Sequence, residues 1–209
     1  MGLDVEFFIK RFNVSRETIE KLNIYKDFLL SSNKSLNLIG KTTENQTFTR
    51  HFIDSAQIYD LIEDKSEIID LGSGAGFPGF VLKILMDDKK ISGNITLIDK
   101  SPKKCKFLQD LSDKLDLTLK IVNLKIENFY FNKISTVVSR AFKKTVDTID
   151  ILFKSNDKIR NIILIKGKTY QQELEEAKKK YTFDAEKFRS ITSDESYILK
   201  IRNIKRSTT

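Results

Sequence analysis

The chain has 209 residues, 40% of them apolar and 32% charged, and its 37 basic against 29 acidic side chains give a formal charge of +8. That length holds one good-sized domain or one domain with a helical extension, and the balance of apolar and charged residues is that of a soluble globular protein. No apolar stretch reaches the roughly 18 residues of a membrane span, and no basic segment followed by an apolar core opens the chain. A lone Cys105 and a lone His51 exclude an internal disulfide and leave little for a metal site or a Ser/His/Asp triad, so a cytoplasmic protein without a metal is expected.

Lysine supplies 29 of the 37 basic residues, which weakens the total as a sign of a polyanionic partner, but its distribution is informative. Residues 1–66 hold 9 basic and 10 acidic side chains, so the whole excess lies in residues 67–209. Residues 1–66 show no strand pattern and read as a helical extension packed on the domain that follows. Ser15 is placed to cap a helix from Arg16 to Ser31, in which Ile19, Leu22, Tyr25, Phe28 and Leu29 recur at helical spacing. After a polar stretch, Ser31 to Thr43, a second helix is predicted from Glu44 to Ile62, with Phe48, Phe52, Ser55, Tyr59 and Ile62 turned inward.

From Glu67 the pattern changes to short apolar runs, IIDL, ITLID, LKIV, ISTVVS and NIILIK, separated by amphipathic stretches, which predicts parallel βαβ units. Ser101-Pro102 opens a helix to Leu115 that turns Cys105, Leu108, Leu111 and Leu115 toward the sheet. Tyr181–Ile191 and Tyr197–Lys205 read as an antiparallel hairpin. Five parallel strands with that hairpin make an α/β, Rossmann-like methyltransferase sheet over residues 67–209.

The first strand runs into IIDLGSGAGFPG, residues 68–79, where Gly74, Gly76 and Gly79 match GxGxxG and Asp70 extends the pattern to DxGxGxG. Such a loop turns a buried strand sharply into a helix whose amides face a ligand. Asp99 closes the second apolar run 23 positions beyond Gly76, the spacing at which a carboxylate accepts hydrogen bonds from ribose hydroxyls. A carboxylate at position 70 would repel a pyrophosphate and suits the sulfonium and ammonium of S-adenosylmethionine, which favours the methyl donor over a dinucleotide. Basic residues follow the strands: Lys100, Lys103, Lys104 and Lys106, then Arg140, Lys143 and Lys144, then Lys166 and Lys168, as expected of nucleic acid held across that edge.

The acceptor is narrowed by what is absent. Cys105 sits inside a predicted helix, not at a strand end where it could attack a pyrimidine, and Ser-Arg-Ala-Phe stands where exocyclic-amine methyltransferases carry an Asn/Asp-Pro-Pro-aromatic loop. Guanine N7 needs no general base, and a site without one fits it. Methyl transfer to another RNA or a non-RNA substrate, a nicotinamide-dependent oxidoreductase, and an RNA-binding protein without catalysis stay open on the residues alone.

Asn37-Leu38, Arg50-His51-x-x-Asp54-Ser55, the loop Gly72 to Gly79, Asp99 followed by Lys103-Lys104-x-x-Phe107-Leu108, Val138-Ser139-Arg140-Ala141-Phe142 and Lys166-Gly167 resemble, in order, the motifs of the glucose-inhibited division protein B family, also called ribosomal small-subunit methyltransferase G. The resemblance spans nearly the whole chain. It implies S-adenosylmethionine-dependent methylation of guanine N7 in the decoding-region loop of 16S ribosomal RNA, within the small ribosomal subunit or an assembly intermediate, by a monomer. It further implies that the methionine part of the cofactor lies on the loop, with Asp70, Gly72, Ser73, Gly74, Gly76 and Phe77. The ribose would then lie on Asp99 and the adenine near Ile126, Glu127 and Asn128. Arg140 and Lys166 match the family's basic residues near the methyl group and are the candidates for catalysis, Arg140 touching the cofactor as well. Lys125 stands where the family often has arginine, keeping charge but losing a bidentate fork. His51 and Asp54 share a helix face near the pocket, His51 being read as a hydrogen-bonded structural residue.

Overall fold

In the computed structural model, which describes residues 2–207, seven strands form one mixed sheet in the order β3-β2-β1-β4-β5-β7-β6. Strands β1 (Glu67–Leu71), β2 (Asn94–Asp99), β3 (Lys120–Asn123), β4 (Ser135–Arg140) and β5 (Ile159–Lys166) are parallel. The last two, β6 (Tyr181–Arg189) and β7 (Tyr197–Arg206), make the expected hairpin, and β7 slots between β5 and β6, antiparallel to both. The strand order reverses between β1 and β4, so the crevice where ligands bind such sheets opens beyond the carboxyl ends of those two strands.

Successive strand residues feed opposite faces. Ile68, Leu97, Val138, Ile163 and Ile165 join one core, while Ile69, Leu71, Ile98, Val137, Ile162 and Leu164 join the other. Burial on both faces is why these runs read as continuously apolar rather than alternating. Helices α4 (Gly79–Asp88) and α5 (Pro102–Leu115) cover the first face; α6 (Thr145–Leu152) and α7 (Tyr170–Lys178) cover the second. Cys105 lies buried on α5, as its spacing predicts.

The amino-terminal segment shares the first core rather than forming one of its own: Phe8, Leu22, Tyr25, Leu29, Phe52 and Ile62 lie in one cluster with Phe80, Leu85, Phe107 and Leu108. Two features depart from the sequence reading. A helix α1 (Leu3–Phe12) precedes the expected one, and α2 runs from Arg16 to Leu36 rather than stopping at Ser31. Through the serine-rich turn Ser31 and Ser35 turn their hydroxyls back onto the carbonyls of Phe28 and Ser32 within the helix, and Asn37 ends it in the left-handed conformation at φ +49°.

A third departure matters more. The predicted helix Glu44–Ile62 is a series of short turns: 3-10 at Lys41–Gln46, a π turn at Phe48–Ile53, α3 at Asp54–Ala56, and 3-10 again at Tyr59–Leu61. Its inward residues are buried as expected. Within the π turn the Arg50 carbonyl accepts from Arg140 Nη1 at 2.9 Å.

Tyr25 crosses from α2 to the glycine loop, its hydroxyl donating to the Ala75 carbonyl at 2.6 Å. Tyr25→Phe should leave that buried carbonyl unpaired and cost about 1–2 kcal/mol in denaturant unfolding. A smaller loss would mean that another donor replaces it.

Candidate active site

The loop between β1 and α4 is built on left-handed glycines, with φ +67° at Gly72, +58° at Gly74 and +98° at Gly76, values that side chains rarely tolerate. Space is as restrictive as torsion at two of them. A Cβ on Gly72 would lie 2.4 Å from the Phe142 ring, and one on Gly76 would lie 2.8 Å from the Tyr25 hydroxyl. The amides of Gly72 and Ser73 donate to the Ile98 carbonyl, and the Ser73 hydroxyl donates to the Asp70 carbonyl, so the loop is tied to the ends of both strands.

Asp70 lies under this loop, fully buried. Its Oδ2 accepts from the Gly79 amide at 2.8 Å, at the start of α4, and Oδ1 has no hydrogen-bond partner among the described residues. Burial pushes its carboxyl up to about 7, against the pull of the Gly79 amide and Arg140. It lines neither of the two cavities described below. Asp70 therefore fixes the helix start from beneath the loop. Phe77 is likewise buried, stacked on Tyr25 (5.2 Å between centroids) and on His51 (5.1 Å), with the Arg140 guanidinium 4.7 Å from its centroid.

Asp99 lines a cavity of about 490 Å³ together with Gly72, Ile98, Leu124, Ile126 and Glu127. Its Oδ2 accepts from the Gly74 amide at 3.0 Å and Oδ1 from the Ser101 amide at 2.8 Å, which fixes the carboxylate while leaving lone pairs for two ribose hydroxyls. Ile98, Leu124 and Ile126 offer apolar surface to a flat base, and Lys100, Lys104, Lys125 and Lys143 also border the cavity. A glycine cradle, a fixed carboxylate and an apolar wall are the donor set that the nucleoside half of S-adenosylmethionine requires.

A second cavity, about 610 Å³, lies on the other side of Ala141, Phe142 and Lys143, which line both. Its walls include Leu38, Ile39, Thr43, Arg50, His51, Asp54, Arg140, Lys166 and Glu173. Asn33 shapes one wall: it accepts from the Ile39 amide and donates to the Ile39 carbonyl and Glu44, pinning the chain after α2. Arg140 is held from one side. Its Nη1 meets the Arg50 carbonyl, His51 Nδ1 at 3.0 Å and Asp54 Oδ2 at 3.4 Å, and its side chain is 17% exposed. Since a guanidinium can only donate, His51 Nδ1 accepts and the ring proton sits on Nε2, which donates to Thr43 Oγ1 at 3.0 Å; that hydroxyl passes its own proton to the Gly40 carbonyl. Burial, then the charges of Arg140 and Arg50, push His51 down to about 3.

Asp54 is held from the opposite end of the chain too. Thr192 donates to its Oδ1 at 2.7 Å, and Gln57 bridges Asp54 to Ser190 and to the Ile191 amide in the β6-β7 turn. Lys166, 8% exposed, donates to the Lys143 carbonyl and pairs with Glu173 at 2.8 Å. Burial alone would raise the Glu173 carboxyl, but Lys166 and hydrogen bonds from Thr145 and Thr169 hold it below its ordinary value. Asn33, Glu173 and Thr192 escaped the sequence reading, and Tyr25 and Phe142 entered it only as a core position and as part of a motif, because each is common in cores or on surfaces and acquires meaning only through a distant partner.

Fold and site together define an S-adenosylmethionine-dependent methyltransferase. The fold is shared with a ribosomal protein L11 methylase from Lactobacillus delbrueckii subsp. bulgaricus (TM-score 0.55, 12% identity, 81% of each chain). It is also shared with TrmK of M. capricolum, solved with S-adenosyl-homocysteine (TM-score 0.52, 18% identity, 71% of this chain and 66% of that one). Residues 18–201 match the family model described as rRNA small subunit methyltransferase G. Proteins named ribosomal RNA small subunit methyltransferase G are 34% identical in Pelagibacter ubique, over 95% of this chain and 94% of that protein, and 37% identical in Rickettsia akari, over 91% and 97%. The chain belongs to the rRNA small subunit methyltransferase G family.

Two outcomes test this geometry. Asp99→Ala should weaken S-adenosylhomocysteine binding by roughly 1.5–3 kcal/mol in calorimetry without unfolding the protein; unchanged affinity would remove Asp99 from the site. His51 binds its proton far less readily when folded, so below about pH 6.5 the unfolded chain takes up a proton that the folded one refuses. Stability should then fall toward pH 3 by up to about 1.4 kcal/mol per pH unit on this account. Denaturant melts of wild type and His51→Gln should converge in that window, and parallel curves would show that the histidine is not buried neutral.

Proposed function

We propose that the protein methylates N7 of a guanine in the decoding-region loop of 16S ribosomal RNA, acting as a monomer in the cytoplasm on the small ribosomal subunit or an assembly intermediate. The observation that carries this reading is the second cavity, which adjoins the cofactor cavity and holds no side chain prepared to take a proton. His51 is pushed far below neutrality and spends both ring nitrogens on neighbours; Asp54 and Glu173 are each bound to a cation. Cys105 is buried on α5 beside the Asp99 carbonyl, and burial pushes its thiol up, so it offers no thiolate for covalent attack.

When bound, the cofactor supplies an electrophilic methyl on a sulfonium. N7 of guanine brings its own lone pair, so the protein has to bind, orient and exclude water rather than move a proton. Asp99, the glycine loop and Ile126 with Glu127 hold the donor. Arg140 and Lys166 face the acceptor: all the hydrogen bonds of Arg140 leave from Nη1, so Nε and Nη2 have no partner among the described residues and remain for the substrate. The lysines bordering the first cavity favour a polyanion lying across the crevice. Membrane attachment by a helix finds no support: among the described residues none is long and apolar enough to cross a bilayer.

Transfer of labelled methyl to 30S subunits from a strain lacking this modification, followed by reduction and aniline cleavage, tests the proposal. Label in 16S RNA with cleavage at one guanine is expected; label without cleavage, or on another acceptor, contradicts it. Lys166→Ala should lower transfer by about tenfold or more while sparing S-adenosylhomocysteine affinity, and a wild-type rate would return this lysine to a purely structural role.

A further inference from the structure

We infer that Phe142 is the platform on which the target purine stacks, and that its ring face stabilises the positive charge the purine acquires on methylation. The inference rests on the guanine-N7 reading above and goes beyond it by naming the group that meets that charge.

Phe142 is one of three consecutive residues that line both cavities, which places its ring beside the junction where donor and acceptor meet. Ala141 stands at φ +51°, a left-handed conformation that costs a non-glycine residue free energy, and it turns the chain out of the strand direction at the end of β4. The ring that follows is set against Gly72, where a Cβ would lie 2.4 Å from it, and it remains half-buried instead of sinking into the sheet core. Its face already attracts a cation. Lys143 Nζ lies 5.6 Å from the ring centroid and 3.7 Å from Glu127, on a side chain that is 40% exposed.

The charge balance makes such a face useful. The N7 lone pair forms the new bond to carbon, the S–CH₃ bond leaves its electron pair on sulfur, no proton departs, and the sulfonium charge ends on the purine. Of the groups lining the second cavity, Asp54 is bound to Arg140 and Glu173 to Lys166, so neither is free to meet a new cation. An aromatic face attracts a cationic purine more than a neutral one, and an interaction that strengthens along the reaction raises kcat rather than only tightening binding. Flipped bases are commonly read by such stacking.

The test compares guanosine 5′-monophosphate with 7-methylguanosine 5′-monophosphate as ligands of the protein saturated with S-adenosylhomocysteine. The methylated nucleotide should bind about 3–10-fold more tightly to wild type. Phe142→Leu, compared at saturating S-adenosylhomocysteine, should abolish that preference, and on 30S subunits with saturating S-adenosylmethionine it should lower kcat by about tenfold with the KM for 30S subunits little changed. Phe142→Tyr and Phe142→Trp should keep both properties. Equal binding of the two nucleotides by wild type overturns the inference without any variant, as does a leucine variant with the preference and kcat intact. If wild type labels N7 yet lacks the preference, the inference alone fails; if it does not label N7, the underlying reading fails with it.

Discussion

Arg140 stands at the end of β4, where the sheet presents its central strands to the crevice, and three groups from the amino-terminal segment close on it: the Arg50 carbonyl, the His51 ring and the Asp54 carboxylate. A mostly buried guanidinium is costly unless it is paired, and the partners of its Nη1 come from a segment about ninety residues away. The Arg50 carbonyl in the π turn accepts from it, the neutral histidine accepts a second hydrogen bond, and Asp54 is itself held by Gln57 and by Thr192 from the β6-β7 turn. The two ends of the chain are thereby fastened to one strand end.

The same contact reaches the cofactor loop through Phe77. Its ring stacks on His51 and on Tyr25 and lies beneath Arg140, while the Tyr25 hydroxyl holds the Ala75 carbonyl of the loop. Phe77 is the packing joint between loop and extension. The loop shape and the acceptor cavity are therefore set by one set of contacts, and the amino-terminal segment forms part of the site rather than an accessory beside it.

What the sequence made legible was whatever depends on local pattern. Two-sided burial produced the continuous apolar runs of β1, β2, β4 and β5, glycine-specific torsions produced the loop, and the spacing from Gly76 to Asp99 followed from βαβ geometry. Long-range pairing was not legible. The 44–62 segment kept the inward spacing of a helix while its backbone runs through 3-10 and π turns, and nothing local reveals that Asp70 lies beneath Gly79. Lys166 read as a basic residue facing nucleic acid, and its pairing with Glu173 on the first turn of the next helix had no local signal.

Arg140 and Asp54 act as one unit in holding the extension on the sheet, and a double-mutant cycle measures their coupling. Denaturant unfolding of wild type, Asp54→Asn, Arg140→Gln and the double variant would give their coupling. Each single change should cost about 3 kcal/mol by stranding a largely buried partner. The double variant should cost no more than the worse single change, a coupling well above about 1 kcal/mol. Strict additivity of the two losses would contradict the account and reduce the pair to neighbours.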